Sequence, residues 1–389
     1  MRSDEFSAPL FHGGNTQLAS KKFGVPVAQW IDLSTGINPF AYPVADVPVH
    51  VFQALPYLQP TFMAAAERYY GVTDILPLAG SQALISRLPE GLRALQHKSV
   101  VGNVLLPTVG YREHAQQWLN AGYEAVFYNS FAEAFDTQTI DDFISKENIQ
   151  HLVIINPNNP TGLMIDAQTI QGWAYRLNQR GGSVIVDEAF IDLTPELSLL
   201  ESPLPENVIV LRSFGKFFGL AGLRLGFAAA SPRYLNHFAE KLGPWSVNGV
   251  AQWVATNALN DLGWQSAARL QLVENAACMQ QTLFDTLVLN VTQTTDLRIE
   301  RIADHPLFST YRVSKTFGQY LFNQFGVQGV LLRIIEVDDA FCLVRVGMLD
   351  MKNTQQVEKI QRIIHTLSTQ LRARSRLSPC EHPAHSVRC

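Results

Sequence analysis

Between Val100 and Ala229 the chain repeats one pattern: a short, continuous apolar run, a turn, then residues with helical spacing. The apolar runs are Val100–Leu106, Glu124–Tyr128, Leu152–Ile155, Val184–Val186, Val208–Leu211 and Leu225–Ala229. Helix-period stretches include Gln82–Leu95, Tyr111–Ala121 and Ala167–Gln179. A strand with one face in water alternates apolar and polar residues, and these runs do not. Continuous apolar strands separated by helices predict a mostly parallel sheet buried on both faces. At 389 residues and 47% hydrophobic, the chain can build that core and a second lobe.

Past Pro244 the pattern changes. A helical region over about Val250–Leu287 contains Gly263, which reads as a break. Strands are predicted near Leu307–Val313, Val330–Ile335 and Phe341–Val346, with helices at Ser314–Phe325 and Thr354–Leu371. The fold class is therefore α/β: a large domain over 46–245, with its parallel sheet sandwiched by helices, and a smaller α+β domain over 246–371. Residues 1–45 read as an arm, because Phe11-His12-Gly13-Gly14-Asn15 and Ser34-Thr35-Gly36-Ile37-Asn38-Pro39 are turn-rich. Pro60 and Gly71 bracket a helix through Tyr70. The tail over 372–389 is basic, aperiodic and Pro-containing, and reads as disordered.

A net charge of −4 leaves no electrostatic footprint for nucleic acid or an anionic membrane. No apolar stretch approaches the roughly 20 residues of a membrane span. The N-terminus lacks a signal-like apolar run, and Cys278, Cys342, Cys380 and Cys389 show no disulfide spacing, so a cytoplasmic protein is expected. Cys380, His382, His385 and Cys389 have spacing that can bind a metal, but on a short segment without a scaffold; no metal is expected.

The chemistry lies at the strand ends. Lys216 follows the run Val208–Leu211, where ligands of parallel sheets sit; a lysine there can condense with an aldehyde, although a solvated lysine is the ordinary alternative. Asp187 closes the run Val184–Val186. A carboxylate there needs a partner, either a protonated pyridine nitrogen or a structural cap or salt bridge. Pro157-Asn158-Asn159-Pro160-Thr161-Gly162 makes a stiff turn that presents Asn159 as a donor to a ring oxygen. Gly80-Ser81-Gln82 precedes a helix and suits a phosphate, or merely caps the helix. Ser213 and Arg224 add neutral and cationic phosphate donors. Along the chain, a ring donor, an acid, a neutral phosphate donor, an amine and a cationic phosphate donor, in this order, are the parts that hold pyridoxal 5'-phosphate.

This set resembles the fold-type I pyridoxal-phosphate enzymes, the aspartate aminotransferase superfamily, over about residues 11 to 370. The resemblance implies that Lys216 is the catalytic lysine, that Arg345 holds the substrate carboxylate and that Tyr111 stacks on the cofactor ring. It also implies a homodimer with shared active sites, in which Tyr57 reaches the neighbouring subunit's cofactor phosphate. Gly215 departs from the pattern, because a hydroxyl residue usually precedes the lysine in that family.

The arm selects a branch. His12-Gly13-Gly14-Asn15 and Asp32-Leu33-Ser34-Thr35-Gly36-Ile37-Asn38-Pro39 resemble the start of the L-threonine-O-3-phosphate decarboxylases of cobalamin biosynthesis. Histidinol-phosphate aminotransferases share much of the pattern. The branch implies decarboxylation of L-threonine O-3-phosphate to (R)-1-aminopropan-2-yl phosphate. His12, Asn15, Asn38, Asn159, Arg333 and Arg345 are then the substrate residues; Arg333 reads equally as a surface arginine at a strand end. Transamination of a phosphorylated amine uses the same residues and stays open, as does a non-catalytic binding protein of this fold.

Overall fold

A computed structural model describes residues 12–96, 102–294 and 297–376. The start of the first expected strand at Val100 and the Cys380–Cys389 tail lie outside the described residues. Strand β1 (Ile31–Asp32) is followed by β2 (Ile75–Leu78), β3 (Asn103–Pro107), β4 (Ala125–Tyr128), β5 (Ile149–Ile155), β6 (Ser183–Asp187), β7 (Val208–Ser213) and β8 (Gly226–Ala230). Then come β9 (Glu300–His305), β10 (Phe308–Ser314), β11 (Val330–Leu331), β12 (Arg333–Glu336) and β13 (Phe341–Gly347).

The main sheet has the order β2-β8-β7-β6-β5-β3-β4. Strands β4, β3, β5, β6 and β7 pair in parallel, while β8 runs antiparallel to both of its neighbours. Every residue of β5, β6 and β8 is buried. Alternate side chains serve opposite faces: Leu152, Ile154, Val184 and Val186 enter one apolar core, and Val153 and Ile185 enter another. Each such side chain contributes about 1.5–3 kcal/mol by leaving water. That two-sided burial is why the runs read as continuously apolar.

Strand β2 was not expected, because Pro77 argues against a central strand. It lies at the sheet's edge, where a missing N–H is tolerated. The helix expected over Gln82–Leu95 is two helices, Gln82–Ile85 and Leu88–Gln96, since Pro89 fits only a first turn. The break expected at Gly263 falls at Asp261, whose carboxylate accepts from the Trp264 N–H at 2.9 Å and so starts the helix Leu262–Met279. The C-terminal helix runs from Thr354 to Arg376, so residues 372–376 are helical rather than disordered.

The chain folds as two compact units. The first holds His12, Gly36–Val273 and Ile302–Thr310; the second holds Gly13–Thr35, Glu274–Arg301 and the described residues from Tyr311 to Arg376. The first runs past residue 245 because the helix Gly249–Asn260 places Ala251, Ala255 and Leu259 in the same core as Phe62 and Ala65. The arm segment Gly13–Thr35 is part of the second unit, where β1 pairs in parallel with β11. There β12 and β13 pair antiparallel as neighbours in a sheet.

Candidate active site

Parallel strands bring their C-terminal ends to one edge of a sheet, and here β3, β5, β6 and β7 end at Pro107, Ile155, Asp187 and Ser213. The loop after β5 is pinned by two buried asparagines. Asn156 donates its backbone N–H to the Asp187 carbonyl at 2.8 Å, and its side chain clasps both backbone groups of Ile165. Asn158 donates to the Val109 carbonyl at 3.1 Å and accepts from the Thr161 N–H. Asn159, half-buried, follows Asn158 in the turn.

Asp187 is 3% exposed. Its Oδ1 accepts from the Ala189 N–H at 3.1 Å, and its Oδ2 lies 2.9 Å from His114 Nε2. An ionised carboxylate only accepts, so His114 Nε2 carries the hydrogen. His114 is buried on the helix Arg112–Asn120, and its Nδ1 has no hydrogen-bond partner among the described residues. The Tyr111 ring packs edge-on against His114 at 6.2 Å, and the Tyr111 hydroxyl donates to Gln82 Oε1 at 3.0 Å.

Lys216 sits in the single helical turn Phe214–Phe217 that follows β7. Its ammonium lies 5.5 Å above the Phe190 ring, three residues beyond Asp187. Asn38 holds this turn: its backbone N–H donates to the Lys216 carbonyl at 3.0 Å and its side-chain Nδ2 to the Phe217 carbonyl at 2.8 Å. Asn38 Oδ1 accepts from the Phe40 N–H. The side-chain amide expected to meet substrate is thus engaged with the backbone of the turn that carries the lysine. Gly215 has a steric reason: a β-carbon there would lie 2.7 Å from Ala221 Cα.

Gly80, Ser81, Ser213 and Arg224 gather at one place. Gly80 has φ +78°, and a β-carbon on it would strike Arg224 Nη2 at 2.6 Å. A β-carbon on Gly226 would lie 2.6 Å from the Ser81 nitrogen, and Gly226 pairs with Ser213 across β7 and β8. Arg224 takes a left-handed backbone, φ 55° and ψ 59°, that lays its guanidinium over the bare α-carbon of Gly80. The helix after Ser81 has only four residues, so charge for an anion comes from Arg224 more than from a helix dipole. Both glycines allow close approaches that a side chain would block, and the donors gathered this way suit a phosphate. With the Lys216 amine for an aldehyde and the Asp187 carboxylate for a ring nitrogen, these residues fit pyridoxal phosphate.

The remaining expected residues divide. His12 places Nε2 2.9 Å from Glu113 Oε1, with its ring 6.2 Å from that of Tyr111. Tyr57 is exposed and packs edge-on against Trp245 at 5.9 Å. Asn15 caps the helix Thr16–Phe23, accepting from the Leu18 N–H at 2.9 Å. In the second unit Arg333 and Arg345 are directly paired across β12 and β13, so both point to one face of that sheet. Burial first, and then Arg333, pushes the Arg345 pKa down to about 10, with Asp32 opposing. Arg345 also donates to the Ser34 carbonyl. Two adjacent guanidinium groups gain from an anion between them.

The aminotransferase class I and II family model matches residues 48–360. The chain belongs to that family. A threonine-phosphate decarboxylase of Pseudomonas aeruginosa is 40% identical, over 70% of this class I and II chain and 78% of its own. Another, from a Sinorhizobium species, is 35% identical over 86% and 95%. Among solved structures, histidinol-phosphate aminotransferase from Sinorhizobium meliloti in complex with pyridoxal-5'-phosphate has a TM-score of 0.73 at 18% identity, covering 94% of this chain and 98% of that one. L-threonine-O-3-phosphate decarboxylase from Porphyromonas gingivalis has a TM-score of 0.65 at 16% identity, covering 86% and 98%. These two likenesses show the fold.

Three residues of this aminotransferase-family site were not singled out from sequence: His114, Phe190 and Glu113. A lone histidine or glutamate on a helix carries no signal beyond its period. Only their closeness to Tyr111 in the chain pointed that way. Among the described residues, no three His, Cys, Asp or Glu side chains gather as a metal site would require.

Proposed function

We propose that this chain decarboxylates L-threonine O-3-phosphate to (R)-1-aminopropan-2-yl phosphate, a step of cobalamin biosynthesis. The observation that carries this choice is the similarity to two threonine-phosphate decarboxylases over most of both chains. The cofactor is pyridoxal 5'-phosphate. When bound, it supplies an aldehyde that takes up amines and a ring that accepts the electron pair of the breaking bond.

The protein's residues then have separate work. Lys216 would be the amine that holds the cofactor's aldehyde until the substrate's amine takes its place. Asp187 would take the ring nitrogen and hold a proton there, with His114 Nε2–H fixing its second oxygen. Asn159 donates to the ring oxygen. Arg224, Ser213, Ser81 and the bare backbone of Gly80 receive the cofactor phosphate, with Gln82 next to them and Tyr111 against the ring. Arg345 binds the substrate carboxylate, and Arg333 with His12 and Asn15 receives its phosphate. With CO2 released from Cα, Lys216 would be the group that carries a proton to Cα.

The assembly we propose is a homodimer in which Tyr57 serves the neighbouring subunit's cofactor phosphate. Val49, Phe52, Leu55 and Tyr57 form an exposed apolar run that supports such a contact. Cytoplasmic residence is part of the same reading; Cys278 and Cys342 are free thiols. Among the described residues no helix is long and apolar enough to cross a membrane.

The test is a product assay. Incubation with threonine phosphate should release CO2 and form aminopropanol phosphate without consuming a keto acid. Consumption of 2-oxoglutarate without CO2 would replace this reading with an aminotransferase.

A further inference from the structure

Glu113 receives three side chains. Its Oε1 accepts from His12 Nε2 at 2.9 Å, and its Oε2 accepts from Gln82 Nε2 at 3.1 Å and Gln117 Nε2 at 3.2 Å. Gln82 in turn accepts the Tyr111 hydroxyl on Oε1 at 3.0 Å. The Gln82 amide is therefore fixed at both ends: its NH2 faces a carboxylate and its carbonyl faces a phenol. The Glu113 side chain is only 14% exposed and sits in the first turn of the helix Arg112–Asn120, where negative charge is favoured. One carboxylate thus ties His12 to the aromatic of the cofactor site.

We propose that Glu113 is a positioning residue with two arms: it orients His12 to receive the substrate's phosphate, and through Gln82 it sets Tyr111 against the cofactor ring. The inference rests on the phosphorylated substrate of the proposed reaction. A carboxylate in direct contact with phosphate would repel it, so Glu113 acts through its neighbours. With His12 Nε2–H engaged by Glu113, Nδ1 is the ring nitrogen left to face the substrate's phosphate. Neither Glu113 nor the relay belongs to the groups that touch the reacting atoms.

The experiment uses the holoenzyme and propyl phosphate, a phosphate monoester with no amine to react. Binding is measured by calorimetry for the wild type, His12→Ala, Glu113→Gln and the double variant. Each single variant should weaken binding by about tenfold, the worth of one hydrogen bond to a charged group. The double variant should be no weaker than the weaker single one, because both act on one contact. With threonine phosphate, Glu113→Gln should raise KM by a similar factor and leave kcat within about twofold. The visible circular dichroism of the bound cofactor should change in Glu113→Gln and not in His12→Ala, which separates the two arms. Wild-type-like binding of propyl phosphate by Glu113→Gln, or losses that multiply in the double variant, would overturn the inference. Failure of the proposed reaction shows elsewhere, as a wild type that binds propyl phosphate in this pattern but releases no CO2.

Discussion

Asp187 and Glu188 are neighbours at the end of one strand, both buried, and the structure uses them in opposite ways. Successive side chains of a strand point to opposite faces. Glu188 turns into the fold. Its oxygens accept from the Ser198 hydroxyl at 2.6 Å and the Leu199 N–H at 2.7 Å, and Arg212 lies at 3.4 Å. Arg212 also holds Asp192, and all three charged groups are buried. Burial pushes the Glu188 carboxyl up, with Arg212 opposing. Asp187 turns toward His114, a partner with a nitrogen still unmet. A carboxylate whose needs the fold meets in full is architecture. One given a single polar side-chain partner at the open ends of parallel strands is prepared for a ligand.

The comparison breaks most easily at Asp187. Asp187→Asn should lower decarboxylation by about 10²–10⁴-fold, in the range of acid–base effects, and leave the thermal midpoint nearly unchanged. Unfolding of that variant, with activity per folded molecule intact, would make Asp187 a structural group after all. Arg212→Met should do the reverse. Stranding two buried carboxylates costs about 3–5 kcal/mol, read by denaturant unfolding, while folded molecules should retain turnover. His114→Phe sharpens the contrast: a loss of about tenfold in turnover is expected where a hydrogen bond to a charged group disappears. An unchanged rate would leave His114 as packing only.

The smallest effect at neutral pH concerns His305. Its Nδ1 accepts from the Leu307 N–H at 3.1 Å, so Nε2–H donates to the Phe190 carbonyl at 3.2 Å. Burial pushes its pKa down to about 4, with the Phe190 hydrogen bond opposing. The unfolded chain therefore takes up this proton first, near pH 6.5. The contribution to stability is whole above that pH and is lost as pH falls toward about 4. His305→Gln should flatten the stability curve between those values and change little at pH 7.5. An unchanged slope in the variant would assign the acid limb to other groups, the buried carboxylates among them.

The main sheet was legible because two-sided burial writes itself into the chain as unbroken apolar runs. Lys216 and Asp187 were legible because charged residues at the ends of such runs demand an explanation. Strand β2 was hidden by Pro77, which only an edge position permits. The Asn38 contact to the Lys216 turn spans 179 positions, and that of His114 to Asp187 spans 73. Neither residue type announces a partner so distant. The arm was read as one piece, but β1 pairs with β11 while Asn38 packs under the lysine, so its two ends belong to different units.

Gly215 has a consequence for any substitution there. The atom that a side chain there would meet first is Ala221 Cα, part of the main chain, which no change of side chain at 221 can remove. Placing a hydroxyl before the lysine would therefore take two coupled changes, a new side chain at 215 and a new path for the main chain at 221.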